Sequence, residues 1–216
     1  GEISLATNGV LFLDEMGEFP SMVLDSLRQP LEEGVVRLSR ARATVSFPAR
    51  FLLVAAMNPC PCGEGGPPGS CRCSETARAR YGRRLSGPLL DRFDLRVPVA
   101  RPEVGELMSS EPVEDSAAVA ARVARAREVA AGRGVRSNAQ IPAGPLDRVA
   151  AFTAGARRVL EYRLRQGGLS ARGLHRVQRV ALTLADLEGH EGPLGESHVC
   201  GALELRAELA VLEGMR

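Results

Sequence analysis

The sequence contains no lysine. All 28 of its basic residues are arginines, set against 26 acidic ones, so the net charge is only +2. No global basic field advertises a polyanionic partner, and only local patches are left to do so. The missing lysine also excludes a phosphate-binding loop of the form Gly-x-x-x-x-Gly-Lys-Ser/Thr, whose lysine reaches the β- and γ-phosphates of a nucleotide. Tryptophan is absent, and aromatic residues make up 4% of the chain. No apolar run approaches the length needed to span a bilayer, and no secretory signal is visible. With 216 residues the chain is long enough for a sizeable core, in one large or two small domains.

Against these absences stands the run Gly9-Val10-Leu11-Phe12-Leu13-Asp14-Glu15. Consecutive large apolar residues read as a strand buried on both faces, as in a parallel sheet covered by helices. Two carboxylates at its tip are costly to desolvate unless something there needs them. A divalent metal and a water supply that need. Asp14 then holds Mg²⁺ on nucleotide phosphates and Glu15 polarises the attacking water, the Walker B pattern of P-loop ATPases. The competing reading is a strand followed by an acidic turn.

A second apolar run, Phe51 to Met57, ends in Asn58-Pro59. Adjacent parallel strands deliver their C-terminal residues to one crevice, where ligands of open α/β sheets bind. Asn58 would sit there beside the acids and hold the lytic water or a γ-phosphate oxygen, the sensor-1 role. A plain turn is the alternative, since Asn-Pro often begins one. Further on, Leu89-Leu90-Asp91-Arg92-Phe93-Asp94 reads as a helix end running into a strand from Leu95 to Val99. The planar guanidinium of Arg92 suits phosphate oxygens at a subunit boundary, as an arginine finger. A salt bridge to Asp91 or Asp94 is the other reading.

Between the two apolar strands, Ser21 reads as an N-cap. Leu24, Leu27 and Leu31 fall on one helical face, Pro30 lies near the end, and Gly34 is the stop. A hairpin follows at residues 34–48, with Arg40 and Arg42 at its tip, either a phosphate-backbone grip or a solvated charged turn. Cys60-Pro61-Cys62 and Cys71-Arg72-Cys73 flank a Gly/Pro-rich loop at 60–73. Two close pairs suit tetrahedral coordination of Zn²⁺. Free thiols and disulfides are the rivals, and a reducing compartment argues against the disulfides. Cys200, among apolar positions, reads as a small core residue.

In order along the chain, Gly-Glu-Ile-Ser-Leu-Ala, Gly-Val-Leu-Phe-Leu-Asp-Glu, Pro-Leu-Glu-Glu-Gly, Ser-Arg-Ala-Arg-Ala, Ala-Ala-Met-Asn-Pro-Cys-Pro-Cys-Gly, Gly-Pro-Leu-Leu-Asp-Arg and Leu-Ser-Ala-Arg resemble the magnesium-chelatase-like AAA+ ATPases of the YifB/ComM group. The resemblance covers nearly all of the chain. Thr7-Asn8 departs from it, since a His is expected next to the strand. It implies an α/β fold: part of a P-loop AAA+ sheet carrying the Walker B, sensor-1 and post-arginine-finger strands, followed by an all-α lid. The implied domains are a core half at 1–100, a linker and helix at 101–140 and a helical lid at 141–216.

In the implied strand order 5-1-4-3-2, the strands of Asp14, Asn58 and Leu95–Val99 are the third, fourth and fifth. The first two and the Walker A loop are expected upstream of Gly1, so the last two strands here should not pair. The hairpin resembles the presensor-1 hairpin that points into the pore of a ring. Arg172, in Leu-Ser-Ala-Arg under a Ser170 cap, resembles the sensor-2 arginine that contacts nucleotide phosphate, whereas Arg176 and Arg179 read as structural.

What the resemblance implies about function is an ATP-hydrolysing, Mg²⁺-dependent cytoplasmic motor. It works as a ring-forming homo-oligomer, a hexamer, on DNA in branch migration during recombination of incoming strands, with no membrane partner. A chelatase-type motor that remodels a protein partner, and a fragment serving only as a binding or assembly module, are the alternatives.

Overall fold

The computed structural model describes residues 1–40, 43–65, 71–100, 102–109 and 114–206. They form two compact units that divide after Phe93.

The first unit opens with a short helix, α1 (Glu2–Leu5), and enters β1 (Val10–Leu13) through a turn in which Asn8 takes a left-handed φ of 62°. A 3₁₀ turn, Met16–Glu18, follows the two acids and leads to α2 (Ser21–Ser26) and α3 (Arg28–Glu33). The single helix expected here is broken at Leu27. Pro30 has no N–H to offer the carbonyl of Ser26, so the ladder is interrupted one turn before the proline. Ser21 is not the cap. Pro20 occupies that position without a side-chain bond, and Ser21 is already helical. Gly34 ends α3 at φ 67°, a left-handed conformation that costs glycine nothing.

Strands β2 (Val35–Arg40) and β3 (Ala43–Pro48) then pair antiparallel from Val35 opposite Pro48 to Arg40 opposite Ala43. The hairpin stands in solvent: every β3 residue is exposed, as are Leu38, Val45 and Phe47. Ser39 and Thr44 share a hydroxyl hydrogen bond across it at 3.1 Å.

Strand β4 (Leu52–Ala55) lies parallel to β1, with Val10 opposite Leu52 and Leu13 opposite Ala55. Burial on both faces does not hold. Leu11, Leu13 and Ala55 pack on a core of Met16, Leu24, Leu27, Leu85 and Leu89. The other face presents Val10, Phe12 (58% exposed), Leu52 and Val54 to solvent. The pair is the whole of this sheet among the described residues. Helix α4 (Glu75–Gly82) is capped by Ser74, and α5 (Gly87–Leu90) by Ser86. Ser86 also donates to Asp25 at 2.6 Å and so ties α5 to α2.

The second unit is helical. Leu95–Val99 forms no strand, contrary to the sequence pattern. Pro98 cannot donate to a ladder, and the Arg96 N–H donates instead to the carbonyl of Leu205 at 2.6 Å. Leu95, Val97 and Val99 are left exposed. A short helix, α6 (Val104–Met108), lies in the stretch read as linker. Next come α7 (Ser116–Gly132, capped by Asp115), a 3₁₀ turn at Asn138–Gln140, α8 (Ala143–Val149) and α9 (Ala154–Arg165, capped by Thr153). The last two are α10 (Ala171–Glu188) and α11 (Glu196–Glu204).

Ser170 caps α10 by accepting from the Gly173 N–H at 3.0 Å, and Gly189 ends it in a left-handed turn. Val177, Ala181, Leu182 and Ala185 of α10 share one core with Leu146, Leu160, Val199 and Ala202. The buried carboxylate of Asp186 receives both arms of Arg133, at 2.5 and 2.7 Å, and the Asn138 amide at 2.7 Å. Cys200 is exposed rather than buried, because His198, Val199 and Ala202 claim the inner face of α11 and Cys200 falls opposite them.

Candidate functional site

The parallel register of β1 and β4 places Asp14 and Asn58 past the same end of two neighbouring strands. The backbones stay joined beyond the strands: the Ala56 N–H donates to Leu13, and the Met16 N–H to Ala56 at 2.8 Å. Glu15 sits between these anchors at φ 47° and ψ 44°, and its N–H donates to Asp14 Oδ1 at 2.9 Å. A non-glycine residue holds that conformation only where its surroundings over-determine it. Asp14, Glu15 and Asn58 are all exposed, and neither acid has a cationic partner among the described residues. Exposed, unpaired oxygens of this kind fit a hard cation such as Mg²⁺, which takes one or two carboxylates and completes its shell from water and phosphate.

The loop after Asn58 brings four thiols together. The Sγ atoms of Cys60, Cys62, Cys71 and Cys73 all lie within 4.8 Å of one another. Cys60 stands 3.3 Å from Cys62 and 3.5 Å from Cys71, and Cys62 stands 3.6 Å from Cys71. These distances are far beyond a disulfide bond of about 2.05 Å, and all four cysteines are free. Thiolates placed about 2.3 Å from one tetrahedral ion have edges of about 3.8 Å, so the cluster suits Zn²⁺.

The thiols are electrostatically uneven. Cys62 is pulled down to about 6, first by the Glu64 backbone donor and then by its Cys60 contact. Cys73 is pushed up to about 12, chiefly by its contact with Cys62. Burial pushes Cys60 up. Gly63, at φ 75°, brings the loop back beside the Asn58 side chain: a Cβ there would lie 3.9 Å from Asn58 Cγ.

Arg92 is mostly buried, its side chain 13% exposed. It pairs with Glu32 and donates to the carbonyls of Pro88 at 2.5 Å and Arg28 at 3.1 Å. Asp94, one of its expected partners, pairs with Arg176 of the second unit at 2.6 Å. Arg179 donates to the Ile141 carbonyl at 2.9 Å, so both of these arginines have structural partners. Arg172 is exposed in the first turn of α10. The backbone of Arg40 pairs with Ala43 at the end of the hairpin, and Arg42 lies outside the described residues.

Two partners escaped the sequence pattern. Glu32 belongs to a helix whose acids look like solvent decoration. Arg84, which reaches back to the turn after the acids, lies 67 residues from Gly17 in the chain. Neither contact has a local signal.

Residues 1–107 match the family described as magnesium chelatase, subunit ChlI, and residues 113–206 match its C-terminal family. Competence protein ComM of Haemophilus influenzae is 45% identical over 99% of this chain and 42% of its own length. The uncharacterized protein YifB of Escherichia coli is 43% identical over 96% of this chain and 41% of its own. The YifB of Salmonella typhimurium is 42% identical over 96% and 41%. The chain belongs to the magnesium-chelatase-like ComM/YifB family. It spans about two-fifths of the length of these relatives. Membership of this family places it among AAA+-type motor proteins, and the mixed α/β architecture with a small parallel sheet agrees. No described helix is long and apolar enough to cross a membrane.

Proposed function

We propose that this chain is the Walker B-to-lid portion of an ATP-hydrolysing ring motor acting on DNA, in the branch migration that accompanies recombination of incoming strands. The observation that carries the reading is the parallel pairing of β1 with β4, which sets two exposed carboxylates and an exposed amide past one end of the sheet. Mg²⁺-ATP, when bound, supplies the phosphoanhydride and the neutralisation of its charge. Asp14 would hold the cation at the tip of β1. Glu15 takes the proton of the attacking water, and Asn58 holds that water or a terminal phosphate oxygen.

Arg92 acts across a subunit boundary, released from Glu32 or supported by it, and Arg172 contacts phosphate from the helical lid. Arg40 and Arg42 would touch the DNA backbone without reading sequence. Cys60, Cys62, Cys71 and Cys73 would hold a structural Zn²⁺ that orders a loop poor in apolar residues. The exposed face of Val10, Phe12, Leu52 and Val54 is the side we assign to a covering layer of helices, as parallel sheets require.

The test is ATP turnover by the full-length protein with and without DNA. Stimulation by DNA is expected. Turnover indifferent to DNA but raised by a protein partner would transfer the reading to a chelatase-type remodelling motor.

A further inference from the structure

The turn that follows the two acids is clamped by a helix from outside the sheet. Arg84 Nη1 donates to the Gly17 carbonyl at 2.5 Å and to the Glu18 carboxylate at 2.8 Å. The ring of Tyr81 lies flush against Gly17: a Cβ added to that glycine would stand 2.2 Å from the ring's Cζ and hydroxyl oxygen. Tyr81, Met16 and Gly17 are buried. On the opposite side the Met16 N–H is tied to Ala56 at 2.8 Å. The backbone at Glu15, in its left-handed conformation, is therefore fixed by β4 on one side and by the α4 end on the other. The same helix begins just after Cys73, under its Ser74 cap, so one element follows the thiol cluster and leads to the residues that hold the acidic turn.

We propose that Arg84 and Tyr81 are positioning residues for Glu15. They hold the 15–18 turn so that the Glu15 carboxylate stays at the tip of β1, aimed at the water it activates. The proposal rests on the assignment of Glu15 as the base. A stabilising role alone fits the geometry less well. Arg84 and Glu18 are 35% and 53% exposed, and an ion pair so exposed contributes little to folding. Its charge-assisted bond to the Gly17 carbonyl fixes backbone two residues from the base, and misplacement of a catalytic group by about 1 Å costs on the order of 100-fold in rate.

The experiment uses the full-length protein and compares Arg84→Ala, Arg84→Lys, Glu18→Gln and Glu15→Gln by kcat, KM, nucleotide affinity and melting temperature. Arg84→Ala should lower kcat by roughly 10–100-fold while KM, nucleotide affinity and melting temperature stay near wild type. Arg84→Lys should recover part of the loss, since an ammonium still reaches the Gly17 carbonyl. Added to Glu15→Gln, Arg84→Ala should cost nothing more, because there is no base left to position.

An unchanged kcat in Arg84→Ala, or an equal further loss in the Glu15→Gln background, overturns the proposal. Should Arg84→Ala fail to fold, Arg84→Lys and Glu18→Gln decide: intermediate kcat at constant KM supports it, and wild-type kcat in both overturns it. Normal turnover in Glu15→Gln removes the base assignment and this inference with it. An inactive Glu15→Gln beside a fully active Arg84→Ala removes only the inference.

Discussion

In residues 94–206, α10 buries Val177, Ala181, Leu182 and Ala185 against neighbouring helices, and the one acid in its interior, Asp186, is fully taken up by Arg133 and Asn138. In residues 1–93 a smaller core of Met16, Leu24, Leu27, Leu85 and Leu89 covers one face of a two-stranded sheet. Phe12 and Val54 on the other face, and Leu38 and Val45 on the hairpin, stay in solvent. The polar groups divide the same way. Where the helical unit satisfies its buried acid internally, Asp14, Glu15 and Asn58 are exposed at a strand end, and among the described residues Asp14 accepts only from the amide beside it. The polar groups of the helical unit are used up by the fold around them, whereas those at the strand end of the first unit are left to solvent.

The largest expected effect lies in the closed unit. Asp186→Ala strands the Arg133 fork and the Asn138 amide, and breaking a buried pair on one side costs about 3–5 kcal/mol. Urea unfolding should show that loss, whereas Asp186→Asn, which keeps acceptor and shape, should lose less. Equal effects would mean that the carboxylate charge carries the whole contribution, and no loss in Asp186→Asn would mean that the network carries no charge-dependent stability.

In the open unit the metal comes next. Protein purified without chelators should carry about one Zn²⁺ per chain at the four-thiolate stoichiometry. Cys71→Ser with Cys73→Ser should abolish it, as read by elemental analysis. Metal content unchanged by that variant would return the cluster to four free thiols.

Smaller again is the hairpin. Arg40→Ala with Arg42→Ala should weaken DNA binding by the full-length ring and flatten its dependence on salt, by up to about 0.9 in slope for each phosphate that is no longer neutralised. ATP hydrolysis without DNA should barely change. An unaltered slope would make these arginines part of a solvated turn. Phe12→Ser should have the least effect on this chain's stability, within about 0.5 kcal/mol, since the side chain is already in water. A loss of several kcal/mol would show that the face is covered in solution.

Several elements that depend on local pattern are legible: β1 and β4 as apolar runs, the hairpin by alternation, α10 by its Ser170 cap, and the cysteine cluster by spacing, whereas the cap expected at Ser21 falls on Pro20. What failed depends on partners far away in sequence. Leu95–Val99 alternates like a strand, yet Pro98 removes a donor and the Arg96 amide is claimed by Leu205. Leu27 breaks a helix whose apolar face is continuous, because Pro30 withholds one hydrogen bond. Two-sided burial of β1 follows from its unbroken apolar run, which cannot say whether a covering layer is present. Arg92 announced itself as a phosphate ligand, whereas its pairing with Glu32 and the reach of Arg84 to Gly17 are set by tertiary packing alone.

In the proposed mechanism the acids at the tip of β1 perform hydrolysis. Single-turnover ATPase measurements on Glu15→Gln in the full-length protein address it most directly. The expected result is retained ATP binding with turnover reduced by at least ~100-fold, the size of losing a general base. Near-normal turnover at unchanged ATP affinity would contradict it.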